Sequence, residues 1–169
     1  ENIAIEPAAL ELVAAAAEGS LRDAESILDQ MSALRSKIDV PAVERMTGRI
    51  GLQTVDELSG LIVAGDLQGS LAHLARAGEE GHNMVQLTRD LIHYLRKALA
   101  LKLSPDLGKT FELELTRDEM ERIQKLAAGL QPDRGVKILR ALIRAYTEMR
   151  YSPWSAIPLE LALAEQLGS

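Results

Sequence analysis

The segment of this chain with most chemistry to offer is Glu18-Gly-Ser-Leu-Arg-Asp-Ala-Glu-Ser-Ile-Leu-Asp-Gln30. Ser20 has the residue type and position of a helix N-cap. Asp23, three residues on, makes a short-armed version of the capping box, in which two side chains satisfy the free N–H groups at a helix start. Gly19 can take the left-handed conformation that ends a preceding helix. Gly19, Ser20 and Asp23 thus build a tight corner. Arg22 falls in the first turn after it, on the polar side shared with Glu25, Ser26 and Asp29. A cation facing the positive end of a helix dipole costs about 0.3–1 kcal/mol when exposed. Unpaired backbone N–H groups beside a guanidinium suit an anion such as a phosphate. The plainer alternative is a solvated Arg22 whose cost is offset by Asp23 and Glu25.

Other candidates carry less. Asp106-Leu-Gly108-Lys-Thr110 contains a Gly-Lys-Thr, yet lacks the first glycine of a phosphate-binding loop and the strand that should precede it. No Gly-x-x-x-x-Gly-Lys-Ser/Thr occurs elsewhere, and no catalytic residue can be assigned. Of the three histidines, His73 is expected on a helix flank, His82 in a turn near Glu79 and Glu80, and His93 on a polar side. All three read as surface residues, and no metal site is expected. The cations Arg89, Arg96, Lys97 and Lys102, then Arg117, Arg122, Arg134, Lys137, Arg140 and Arg144, mostly have acids nearby in sequence, as solvated helix faces do. Tyr151-Ser-Pro-Trp154 is the one aromatic cluster, expected to pack as a turn onto the last helix or else to present Trp154 to a partner.

The elements that must position these residues are helical. Leu, Ala, Glu and Arg abound, while the chain of 169 residues has one Phe and one Trp. The net charge of −6 argues against a large surface for nucleic-acid phosphates, although not against a small basic patch. With no cysteine, disulfides and thiolate metal sites are excluded. No apolar run approaches the roughly eighteen residues of a membrane span, and no signal-peptide pattern is present. These features predict a cytoplasmic helical protein. The start at Glu1 without Met predicts a piece of a longer chain.

Pro7 suits a first helical turn, with Leu10, Val13, Ala14 and Ala17 forming the apolar face of a helix to Glu18. A second helix, about 21–35, carries Leu21, Ala24, Ile27, Leu28, Met31 and Leu34. Asp39 caps a third, with Val43 and Met46, that closes at Gly48. The two glycines in Thr47–Gly51 mark a boundary. Beyond it Thr54 should cap a helix with Val55, Leu58, Leu61 and Ile62, and Gly65-Asp66 should restart the chain into another, with Gly78 and Gly81 bracketing the next turn. A long helix from about Asn83 to Lys102 has enough apolar positions to be packed on several sides. Ser104–Thr116 alternates apolar and charged residues at its end and reads as an extended connection. Thr116 and Glu119 form a capping box for the next helix. Two more helices follow, from near Pro132 to Arg150 and from Ser155 to Leu167.

Together these residues carry a resemblance. Gly19-Ser-Leu-Arg-Asp-Ala followed by Leu28-Asp-Gln30 resembles the lid-domain motif of the gamma/tau subunits of bacterial DNA polymerase III clamp loaders, which are AAA+ proteins. The stretch from Ile5 through the Ala-rich helix to Gly19 is similar to the segment preceding that motif, and Met46-Thr-Gly48 to the Met-Leu-Gly that closes the lid. Tyr151-Ser-Pro153 and Leu159-Glu-Leu-Ala-Leu163 resemble the family's final collar helix. Glu25-Ser26 stands where other members often have Leu-Ser.

The resemblance implies an all-α fold in two parts: a three-helix AAA+ lid over 1–48 and a six- or seven-helix collar over 49–169. It implies that Arg22 is the sensor-2 arginine reaching the γ-phosphate of ATP, with Gly19, Ser20 and Asp23 as its support. ATP and Mg would belong to the full-length parent, an ATPase, with no cofactor expected in this portion. The implied partners are the delta and delta-prime subunits and further gamma/tau copies through the collar, and the β sliding clamp and primed DNA through the whole complex. The implied function is to help load that clamp, in an ATP-dependent way, during replication in the bacterial cytoplasm. The alternative from the residues alone is an unrelated helical adaptor that grips a partner peptide in a groove.

Overall fold

In the computed structural model, which describes residues 4–17, 20–33, 38–47, 51–111 and 115–168, every named element is helical. The fold is all-α. Its first part comprises α1 (Pro7–Ala16), α2 (Leu21–Ser32) and α3 (Val40–Thr47). Its second comprises α4 (Leu52–Ala64), α5 (Leu67–Glu79), α6 (Met84–Leu103), a 3-10 turn (Pro105–Leu107), α7 (Gly108–Phe111), α8 (Arg117–Gly129), α9 (Pro132–Met149) and α10 (Ala156–Leu167).

The three opening helices pack on one another around Ala9, Val13, Met31, Ile38 and Val43. A short parallel bridge ties the entry and the third helix together: Ile38 N–H donates to the Ala4 carbonyl (2.9 Å) and Glu6 N–H to the Ile38 carbonyl (3.0 Å). Asp39 caps α3 as its sequence indicates, its Oδ1 accepting from Ala42 N–H at 2.9 Å. The inward face of α1 is Ala9, Val13 and Ala17, spaced four apart, whereas Leu10 is 48 % exposed and Ala14 is also outside. Leu21, expected in the buried stripe of α2, is exposed, while Ala24, Ile27 and Leu28 pack on the core. Leu34, Gly19 and Gly48 lie outside the described residues.

A second, larger core forms around α6. Leu87, Leu91, Leu95 and Ala98 are fully or almost fully buried, and α4, α8 and α9 pack around them. Helix α10 lies along α9 and against α5; Ala141, Ala145 and Ala162 form the small-residue seam that lets α9 and α10 approach. Gly65 (φ 81°) and Gly81 (φ 83°) adopt the left-handed backbone that ends helices. Asp66 then caps α5, accepting from Gly69 N–H at 2.8 Å, and Asn83 caps α6, accepting from Gln86 N–H at 3.0 Å. Gly78 lies within α5 rather than at the turn. The Thr116–Glu119 capping box is complete: Glu119 N–H donates to Thr116 Oγ1 (3.2 Å) and Thr116 N–H to Glu119 Oε2 (2.8 Å).

Three local expectations are corrected. Helix α4 begins at Leu52 behind Gly51, so Thr54 sits inside the first turn and is not its cap. After an extended Ser104, residues 105–111 are helical, not extended: Pro105 starts the 3-10 turn and α7 follows. Burial of Phe111, whose ring lies 5.7 Å from the Lys97 ammonium, stabilises that turn; residues 112–114 lie outside the described residues. His73 is buried, 5 % exposed, and not on a flank. Its Nε2 lies 3.0 Å from the Thr54 carbonyl and its Nδ1 3.0 Å from Arg76 Nη2. The carbonyl only accepts and the guanidinium only donates, so these two contacts suit the tautomer that carries its proton on Nε2.

Candidate functional site

At the α1–α2 corner, Ser20 has an extended backbone (φ −85°, ψ 111°) and its Oγ accepts from Asp23 N–H at 3.3 Å. The reciprocal half of the capping box is not made, because Ser20 N–H donates instead to the Ala17 carbonyl at 2.8 Å. The Asp23 carboxylate is therefore exposed in the first turn. Arg22 is exposed beside it, and among the described residues no acid pairs with it. Glu25, Ser26 and Asp29 share the exposed side, Ser26 Oγ accepting from Gln30 at 3.3 Å. Beneath, Met31 and Val13 anchor the two helices. The corner thus presents one guanidinium at a helix start, held by a cap and a packed core. Gly19, expected to support it, lies outside the described residues.

The remaining candidates separate clearly. Lys109 and Thr110 sit exposed on the single turn α7, with helix and not strand before them. His82 is partly exposed 3.4 Å from Glu80, and His93 is exposed. Among the described residues no group of three or more His, Asp or Glu is placed to hold a metal ion. Arg122 donates to Asp118 (2.9 Å) and to Asp56 (3.0 Å), and Arg144 pairs with Glu165 and Glu148. Arg134 reaches the Val63 carbonyl at 3.5 Å and Lys102 the Ala128 carbonyl at 3.1 Å, both near helix C-termini, where cations are favoured.

A part-buried polar staple escaped the sequence reading. Tyr94 hydroxyl donates to Asp56 Oδ1 at 2.7 Å while Arg122 holds the other oxygen, joining α6, α4 and α8. Burial first, and then the hydrogen bond from its hydroxyl to the Asp56 carboxylate, push the Tyr94 phenol far above its ordinary range. Hydrogen bonds to Asp118 and Asp56 raise Arg122 further. The Tyr151–Trp154 corner leads onto the outer surface of α9 and α10. Ser152 Oγ accepts from Trp154 N–H at 3.2 Å and donates to the Trp154 carbonyl at 2.9 Å, fixing the corner, yet Trp154 itself is 67 % exposed and does not pack as an inward turn. Ile143, Ile157 and Leu161 are exposed with it.

The fold matches that of the Bacillus subtilis DNA clamp loader delta protein with a TM-score of 0.61 at 17 % identity, over 98 % of this chain and 51 % of that one. Residues 38–165 match the family model of DNA polymerase III subunits gamma and tau domain III, and residues 1–34 that of the DNA polymerase III clamp loader subunit ATPase lid domain. The chain belongs to the gamma/tau family of DNA polymerase III. It is 30 % identical to the Escherichia coli tau subunit over 99 % of this chain, and 27 % identical to the Bacillus subtilis tau subunit over 98 %. Protein STICHEL-like 4 of Arabidopsis thaliana is 36 % identical over 59 % of this chain. The chain spans 26 % and 29 % of the two tau subunits and 10 % of the plant protein. No helix among the described residues is long and apolar enough to cross a membrane.

Proposed function

We propose that this chain supplies the nucleotide-sensing lid and the assembly collar of a gamma/tau subunit, in a complex that loads the β sliding clamp onto primed DNA in the bacterial cytoplasm. The lid covers about 1–48 and the collar 49–169. The two separate apolar cores support that division, since α3 packs with α1 and α2 although the domain III model already begins at residue 38. The collar joins further gamma/tau copies to delta and delta-prime. ATP and Mg are held by the parent's core domain; of the residues described here, Arg22 is the one whose charge and setting fit a phosphate of that nucleotide.

The observation that carries the reading is the exposed guanidinium of Arg22, free of acid partners among the described residues, in the first turn of a capped helix. Such a placement is unfavourable without an anion, and becomes favourable with one. Binding and release of a phosphate there would shift the lid relative to its core domain, and the collar would carry the shift to neighbouring subunits.

The test is Arg22→Ala in the full-length subunit, reconstituted with delta and delta-prime. ATP-dependent clamp loading should fall by tenfold or more, in line with about 1.5–3 kcal/mol for a charged hydrogen bond, while the lid is not destabilised and gains at most about 1 kcal/mol, since an exposed cation at a helix start is unfavourable. Loading at the wild-type rate would refute the sensing role.

A further inference from the structure

Ser59, Ser70, His73 and Thr88 are the buried polar side chains that share the core with its hydrocarbon among the described residues, and of these only His73 carries a ring that takes up a proton. It stands where α5 meets the first turn of α4. Its Nε2 lies 3.0 Å from the Thr54 carbonyl, which can only accept. Its Nδ1 has two neighbours of opposite charge: Arg76 Nη2 at 3.0 Å, from α5, and Glu57 Oε2 at 3.8 Å, from α4. The other oxygen of Glu57 accepts from Gln53 Nε2 at 2.8 Å, which leaves Oε2 for the ring.

The two neighbours of Nδ1 ask for different protonation states. An unprotonated Nδ1 accepts from the guanidinium and has nothing to give the carboxylate. A protonated Nδ1 can only donate, and it sets an imidazolium against the guanidinium. No other charge competes from the elements packed on α5. Helix α10 turns Pro158, Leu159, Ala162, Leu163 and Leu167 inward, while its Glu160 and Glu165 are exposed, the latter paired with Arg144. On α4, Asp56 is engaged by Tyr94 and Arg122. On α5 itself, Glu79 and Glu80 lie exposed, one to two turns beyond the ring.

We propose that His73 is a proton-operated exchange point between α4 and α5. With Nδ1 unprotonated, the ring holds Arg76. When Nδ1 takes a proton from solvent, the ring releases Arg76 and donates to Glu57 Oε2, while Nε2–H stays on the Thr54 carbonyl. The ring is 5 % exposed and keeps its place; Arg76 and Glu57 are exposed and can turn. The exchange therefore changes which charge the bundle surface presents without opening the bundle: an arginine is set free and a carboxylate is taken up. This device does not depend on the collar reading.

The test is nitrogen-15 NMR of the imidazole side chains in the whole chain, followed from pH 8.5 downward. His82→Gln and His93→Gln, both at residues outside the core, leave His73 as the one ring observed. At high pH the ring should show its proton on Nε2 alone. On acidification Nδ1 should gain a proton while the Nε2–H signal persists. Arg76→Met removes the opposing cation and should move the midpoint of this titration up by about half a pH unit or more, a roughly threefold gain in proton affinity; Glu57→Gln removes the receiving charge and should move it down by a similar amount. Circular dichroism confirms that each variant keeps the helical fold.

Opposite shifts in the two variants are the signature of an exchange between them. Equal midpoints in all three chains, or shifts of the same sign, would overturn it. So would a ring that carries its proton on Nδ1 at high pH, one that loses its Nε2–H signal on protonation, or one that takes up no proton before the chain unfolds in acid.

Discussion

Replacing Asp56 with Ala tests the main non-local polar contact of the bundle. The carboxylate accepts from the Tyr94 hydroxyl at 2.7 Å and from Arg122 at 3.0 Å, and it ties helices that are 38 and 66 residues apart in sequence. Tyr94 is 7 % exposed, so its hydroxyl would be left without an acceptor in a buried site. An orphaned buried donor costs about 1–3 kcal/mol, and the lost hydrogen bond to a charged group about 1.5–3 kcal/mol, with overlap between the two. Arg122 is 39 % exposed and keeps Asp118, so its loss adds no more than about 0.5 kcal/mol after solvent screening. The expected destabilisation is about 2–4 kcal/mol. Urea unfolding followed by circular dichroism should show the midpoint falling with an unchanged slope. Asp56→Asn keeps an acceptor for Tyr94 and should cost about half as much. A loss below about 1 kcal/mol for Asp56→Ala would refute the staple as a source of stability, since surface substitutions alone stay within about that range.

The Tyr94 phenol supplies a second, signed prediction. Its proton is held in the folded state and released near pH 10 in the unfolded one, so its contribution is fully present below pH 10 and is lost as the pH rises above it. Unfolding free energy should decline there by about 1.4 kcal/mol per pH unit from this residue, and Tyr94→Phe should remove that part of the slope; an identical alkaline slope in the variant would contradict the assignment. At the start of α8, Thr116→Ala removes the hydroxyl half of the capping box, leaving the backbone N–H of residue 116 to Glu119, and should cost about 1 kcal/mol, read as a lower denaturation midpoint, with no effect on α1–α3, which pack in the other core.

Much of the helical framework can be read without coordinates. Asp39, Asp66, Asn83 and Thr116 mark helix starts because a short oxygen-bearing side chain placed before an apolar run satisfies the first free N–H groups, a strictly local bond. The Ser20 cap was legible for the same reason: Ser20, Arg22 and Asp23 lie within one turn of chain, and Ser20 Oγ accepts from Asp23 N–H. Thr54 misled because it too precedes an apolar run, while the helix had already begun behind Gly51. Phe111, Leu113 and Leu115 alternate with Glu112 and Glu114 as a strand would, yet a lone strand has no ladder to join, and the turn of helix that ends at Phe111 buries that ring.

What the sequence determined, then, is the helical class, most element starts and the capped corner between α1 and α2, all set by interactions within a few residues. Tertiary structure alone decided which apolar side chains face inward. Leu10, Leu21, Ile157 and Leu161 have the same residue type as the core leucines and isoleucines, and only the neighbouring helices determine which of the two sets is covered. It also decided the partners of buried polar groups. His73 sits on the inner face of α5 because a carbonyl of α4 and Arg76 together accept and donate to it, and Tyr94 can be buried because Asp56 and Arg122 arrive from two other helices. A polar residue's fate in a core depends on a complementary group brought from far along the chain, and no local spacing encodes that meeting.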